Sequence, residues 1–176
     1  MLFDSHLHLD QLSDENIQKT LGDSKITGML AVSTNLKSAK KLLNLKQIYP
    51  GKLYIAAGFH PEQPLLNLEE REELFQWIDE HHSSISAIGE VGLPHYSKRE
   101  NANLDYAPYI ELLERFIVIA KKWDLPLNLH IVHNDVDIAL ELLEKHNIQH
   151  AHFHWFKTDE KSFHKFLSTP YFASLT

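Results

Sequence analysis

Seven short apolar runs, each separated from the next by a segment of helical periodicity, limit what this chain can fold into. They begin near residue 2 ("LFDSHLHL"), 26 ("ITGMLAVS"), 53 ("LYIAAGFH"), 85 ("ISAIGEVGL"), 125 ("LPLNLHIV"), 150 ("HAHFHWF") and 171 ("YFASLT"). Strands that alternate with helices pair in parallel, because the helix makes the return crossover, and runs apolar on both faces suit a sheet covered on both sides. The class is therefore α/β, as a barrel or a doubly wound sheet. The polar residues favour the barrel. His8, His60, Glu90, His130 and His154 each fall near the C-terminal end of a different predicted strand, and in a (β/α)8 barrel those ends converge on one rim where sites are built. An open sheet would spread them apart.

The helical segments carry start signals. Asn67 ahead of Leu68, Glu69 and Glu70 predicts a capping box, and Asn134 and Thr158 are further cap candidates, with Asp135 and Asp159 placing negative charge in the first turn. From Tyr106 to Trp123, Ile110, Leu113, Ile117 and Ala120 recur at helical spacing, leaving Glu111, Glu114, Lys121 and Lys122 to face water. With 176 residues, 43% of them hydrophobic, residues 1–176 are expected to form a single domain. The chain has no cysteine, which excludes disulfides and thiolate ligands. No signal pattern and no run of about 20 apolar residues is present, so a cytoplasmic protein with no membrane partner is expected. The formal charge of −7 gives no basic footprint for nucleic acid, and any phosphate bound here needs help from cations.

His6 and His8 stand at i and i+2, which puts both rings on one face of a strand and suits two ligands of one metal ion. Thirteen histidines in 176 residues produce about one such pair by chance, so the spacing decides little alone. Glu90 is the stronger signal. Between Gly89 and Val91 in an apolar strand, its carboxylate needs a cation to offset a desolvation penalty of several kcal/mol. His81, His82, His146 and His164 read as solvated surface residues, and His150 and His152 as structural hydrogen-bonding groups. The lysines at 37, 40, 41, 121, 122, 157, 161 and 165 read mostly as a solvated face that can also touch a nucleic-acid backbone. No G-x-S-x-G elbow, Walker loop or G-x-G-x-x-G is present.

"DSHLHLD", "AAGFHPEQ", "AIGEVGL", "LPLNLHIV" and "HFHWF", in this order, resemble the TatD family of metal-dependent hydrolases, deoxyribonuclease-like members of the amidohydrolase-type barrels. The resemblance runs along nearly the whole chain. It implies a TIM-type (β/α)8 barrel, here incomplete at about six to seven strands and truncated at its C-terminal end, since such barrels run to about 250 residues. It implies two divalent ions (Mg, Zn or Mn), one held by His6, His8 and Glu90 and the other by Glu90, His130 and His154, with Glu90 bridging. Glu90 and His60 would carry catalysis, His60 by orienting a phosphate oxygen, and the substrate would be DNA or another phosphate ester. An amidohydrolase acting on a C–N bond and a catalytically silent metal-binding domain are the alternatives.

The chain departs from that family at several points. Pro94 and His95 follow "GEVGL" where the family has an aspartate and aromatics, Val132 and His133 replace an arginine and an acid, and "WFKT" replaces "CFSG". His95 and His133 read as surface loop histidines, with a phosphate-facing or metal-facing role as the alternative. The family's last metal-binding aspartate has no counterpart before Thr176. An interrupted barrel would expose sheet edges at Leu2 to Leu9 and at Tyr171 to Thr176, and self-association through them is expected.

Overall fold

The apolar runs become strands because their branched and aromatic residues pack on a pleated surface, and the periodic segments between them become the helices that cover it. In the computed structural model, which describes residues 1–175, the strands are β1 (Leu2–Leu7), β2 (Ile26–Val32), β3 (Leu53–Ala57), β4 (Ala87–Gly92), β5 (Leu127–His130), β6 (Ala151–His154) and β7 (Phe172–Ala173). The helices are α1 (Asp14–Gly22), α2 (Leu36–Ile48), α3 (Leu68–His81), α4 (His95–Glu100), α5 (Ala107–Trp123), α6 (Asp135–Lys145) and α7 (Glu160–Leu167). The last predicted run extends to Thr176, which lies outside the described residues. No helix among the described residues is long and apolar enough to cross a membrane.

The chain divides into two compact units, 1–59 with 67–90, and 60–66 with 91 onward. In the first, β1, β2, β3 and β4 pair in that order, all parallel, with Met29 opposite Leu53, Ala31 opposite Ile55 and Ala56 opposite Ala87. Met29, Ala31, Val32, Ile55, Ala57 and Ile88 of the strands are buried, as are Leu42 of α2 and Leu74 and Ile78 of α3. Each large aliphatic side chain so buried contributes about 1.5–3 kcal/mol. Leu2 and Phe3, at the start of the outermost strand, are 65% and 57% exposed. The capping box at α3 is present: the Glu70 amide donates to Asn67 Oδ1 at 3.0 Å and the Asn67 amide to Glu70 Oε2 at 2.9 Å.

In the second unit β5, β6 and β7 pair in parallel, with Leu129 opposite Phe153 and His130 opposite His154. The end of β4 stays beside β5, where the Leu93 amide donates to the His130 carbonyl at 3.2 Å. On α5 the residues Leu112, Leu113, Phe116, Ile117 and Ala120 are buried while Glu111, Lys121 and Lys122 are exposed, as the periodicity requires. Two cap assignments shift. Asp159, one residue beyond Thr158, caps α7 by accepting from the Ser162 amide at 2.9 Å, and Thr158 instead donates its hydroxyl to the His133 carbonyl at 3.1 Å. Asn134 precedes α6 in helical conformation with no side-chain cap bond, so its oxygen is not aimed at the first-turn amides.

Candidate metal centre

His6 lies in β1 and His8 in the residue just after its end, and β4 brings Glu90 to meet them. His6 Nε2 and His8 Nε2 each lie 3.2 Å from Glu90 Oε2, with the two rings 5.2 Å apart and edge to face. One donor atom from each of the three residues falls within 4.8 Å of the others. Glu90 is 1% exposed. Its hydrogen bond to His8 raises that imidazole above its ordinary value, against burial, which lowers it. Two imidazole nitrogens and a carboxylate oxygen, converging in a protected place, form a donor set that fits a divalent ion such as zinc or manganese.

The surrounding backbone holds these donors in place. Ser33, fully buried at the end of β2, accepts the Glu90 amide on its carbonyl at 3.1 Å, donates its own amide to Ala56 and exchanges hydrogen bonds with Gly58 through its hydroxyl. Beyond His8, Asp10 Oδ2 accepts from the Ser38 hydroxyl at 2.8 Å, and the Asp10 carbonyl accepts from Lys41 Nζ at 2.6 Å. These bonds anchor the turn that follows the two histidines.

The second unit holds the other sequence candidates. His60 follows β3 by three residues, accepts the Glu62 amide on Nδ1 at 3.2 Å and has its ring 4.6 Å from that of His130. His130, the last residue of β5, places Nε2 3.6 Å from Glu62 Oε1. Glu62 also accepts from the Tyr96 amide and from the amide and hydroxyl of Ser97. Burial alone would raise its carboxyl, but hydrogen bonds from His130, Ser97 and the two amides outweigh it and hold Glu62 at about 2. His154 ends β6 with Nδ1 3.4 Å from Ser174 Oγ and its ring stacked on Trp155. Among the described residues it joins no set of three histidine or carboxylate donors within 4.8 Å.

Sequence reasoning passed over Glu62, although it stands two residues beyond His60 in a quoted motif. It also treated Asp135 as helix-start charge. Asp135 is buried, accepts the Tyr106 hydroxyl at 2.5 Å and stands 3.4 Å from His95 Nδ1. Of the histidines expected at a solvated surface, His81 stacks on Trp77 and His146 pairs with Glu114 at 2.7 Å, while His164 remains 70% exposed. His152 has the structural bond expected of it, with Asn128 Nδ2 at 3.2 Å from Nδ1, whereas His150 is exposed.

Parallel strands crossed over by helices, with His-x-His at the end of the first strand and a buried glutamate on the fourth, define an α/β protein of the TIM-barrel type with a donor set able to hold a metal ion. Residues 3–176 match the model of the TatD related DNase family, and the chain belongs to that family. It is 88% identical over its whole length to an uncharacterized metal-dependent hydrolase of Haemophilus influenzae, covering 70% of that protein. It is 26% identical over 140 residues to the deoxyribonuclease TATDN3 of Homo sapiens, matching 73% of this chain and 51% of that one. Among solved structures, the TatD homolog YjjV of Escherichia coli K12 superposes with a TM-score of 0.75 at 21% identity, covering 98% of this chain and 66% of the other. A TatD family hydrolase from Entamoeba histolytica has the same TM-score at 17% identity, covering 64% of that chain. The described residues thus carry seven strands of an incomplete TIM-type barrel, and the chain spans about half to 70% of these curated relatives.

Proposed function

We propose that this chain is the metal-holding part of a hydrolase that cleaves phosphodiesters, with DNA as the substrate class. The single observation that carries the reading is the convergence of His6 and His8 on Glu90 Oε2, each at 3.2 Å. A divalent ion held there would supply Lewis-acid chemistry, lowering the pKa of a water and polarising a phosphoryl oxygen. His6 and His8 would hold the ion through their Nε2 atoms, and Glu90 would bring negative charge that offsets it. The assignment of a second ion to Glu90, His130 and His154 rests on the family resemblance of the sequence. His60 accepts the Glu62 amide on Nδ1, and its part in orienting a phosphate oxygen rests on the family resemblance of the sequence. Support for DNA comes from the family and from the name of the human relative, a deoxyribonuclease.

The test is reconstitution. Chelated chain is loaded separately with magnesium, manganese or zinc and assayed on DNA, on bis(p-nitrophenyl) phosphate and on a cyclic amide. Metal-dependent turnover of the two phosphodiesters is expected. Turnover of the amide alone would replace this reading with C–N hydrolysis, and stoichiometric metal without turnover of any substrate would make the chain a silent metal-binding domain. For the 176-residue chain taken alone, the exposed Leu2 and Phe3 of β1 also support self-association, which sedimentation at increasing concentration would detect.

A further inference from the structure

The second unit contains a group of ionisable side chains that the metal donor set does not use. Asp135 takes the Tyr106 hydroxyl at 2.5 Å on Oδ2, and the same oxygen lies 3.4 Å from His95 Nδ1. His95 is 19% exposed, and its Nε2 has no hydrogen-bond partner among the described residues. The His133 ring lies against it, centroids 4.7 Å apart and planes inclined by 32°, and its nitrogens also lack a hydrogen-bond partner among the described residues. Tyr96 closes the group, with its ring 5.5 Å from His95 and 6.5 Å from His133.

Two features mark this as a built arrangement rather than a pair of loop side chains. His133 has a φ of 54°, in the left-handed region that residues with a side chain rarely occupy, and it is held there from both sides. Its amide donates to the Lys157 carbonyl and its carbonyl accepts from Thr158 Oγ1. Cationic side chains also stand near His133. Burial, and then the positive charges of His95, Lys157 and Arg99, keep the His133 imidazole below its ordinary value, with Asp135 acting in the opposite sense. The two nearby carboxylates are engaged, Asp135 with Tyr106 and His95, and Glu62 with Ser97, Tyr96 and His130. His95 Nε2 and the His133 ring, beside a lysine and an arginine, suit an anion with several oxygens.

We propose that His95 and His133 form a binding site for a phosphate group, with Asp135 and Tyr106 as positioning residues that turn His95 Nδ1 inward and present Nε2 to the ligand. The identity of the anion rests on the phosphate-ester reading above. The site itself needs no metal. With the Asp135 carboxylate beside Nδ1, Nε2 is the ring nitrogen left to face a phosphate oxygen or hydroxyl. Tyr96 is shared with the metal candidates, its ring 6.3 Å from His130, so a phosphate here lies beside one of them.

The experiment is nitrogen-15 NMR of the histidine rings in the intact chain, in excess chelator, titrated with inorganic phosphate and separately with dimethyl phosphate. Because no ion is present, failure of this site and failure of the phosphodiesterase reading are distinguishable. Saturable shifts at His95 and His133 are expected, with His95 Nδ1 protonated before ligand is added. Asp135→Asn should lose that tautomer and weaken binding about tenfold, and Tyr106→Phe, which keeps the carboxylate, should weaken it less. Both variants are checked for folding by thermal melting, and if Asp135→Asn does not fold, Tyr106→Phe decides. Tighter binding of inorganic phosphate than of the diester assigns the site to a terminal phosphate, and equal binding assigns it to the chain phosphate of the substrate. No saturable shift of either ring overturns the proposal, as do shifts confined to His6 and His8, or phosphate affinity unchanged in the folded variants.

Discussion

Ser97 gives Glu62 two hydrogen bonds on one carboxylate oxygen, its amide at 2.8 Å and its hydroxyl at 2.6 Å. Those bonds, with the contact to His130, hold the Glu62 carboxyl at about 2, below its ordinary 4.5. A carboxyl depressed on folding contributes stability that is whole above its unfolded value and is lost as pH falls from 4.5 toward 2. In chelator, Glu62→Gln should therefore melt below the parent near pH 6, and the gap should narrow as pH falls below 4.5 and close only as pH passes through about 2. A gap that stays constant over that range would show that Glu62 is not the titrating group.

Proton and metal should compete at His8. Glu90 raises the His8 imidazole above 6.5, so the ring is protonated at a higher pH than a free histidine. Without metal, that pair adds stability which is whole below about pH 6.5 and is lost as pH rises through the raised value. With metal the direction reverses, because the ligand must be neutral, and affinity should decline as pH falls from 8 to 6 with proton release on binding. Calorimetry in buffers of different ionisation enthalpy measures both. Affinity flat from pH 8 to 5 would rule out histidine ligation.

Glu90→Gln keeps the shape of the side chain and removes its charge. Elemental analysis after dialysis should show both ions lost, since Glu90 belongs to both proposed sets. Retention of one ion at the parental level would mean that the two sets do not share this residue.

Gly92 has no room for a side chain. A Cβ there would meet the backbone carbonyl of His130, with the His130 carbonyl carbon and Cα next nearest, and backbone cannot rotate away. Gly92→Ala is expected to destabilise by about 2 kcal/mol or more. At Gly22, the last residue of α1, a Cβ meets nothing within 4 Å, and Gly22→Ala should be neutral or stabilising by up to about 1 kcal/mol. Chemical denaturation of the two variants side by side makes the comparison.

The strands, and the position of each polar residue at a strand end, were legible because apolar runs and helical periods are local. Asn67 was legible for the same reason, both halves of its capping box lying within one turn. What could not be read was contact over long sequence separation. Asp135 looks like helix-start charge until Tyr106, on another element, is seen to donate to it. His95 and His133 are 38 positions apart, and nothing local says that their rings meet. Thr158 and Asp159 are both competent caps, and the choice went to Asp159 because the Thr158 hydroxyl has the His133 carbonyl to satisfy.

Ser33 touches none of the proposed donors through its side chain, yet its carbonyl receives the Glu90 amide and its hydroxyl ties Gly58 to the end of β2. Motif searches score His-x-His and Gly-Glu and are blind to the serine in "AVST". Drift at position 33 would therefore be recorded as neutral in a comparison of motifs while the carboxylate it steadies wandered. The inheritance of this site includes a residue with no chemistry of its own, and two relatives with identical donors can differ in how long those donors stay aligned.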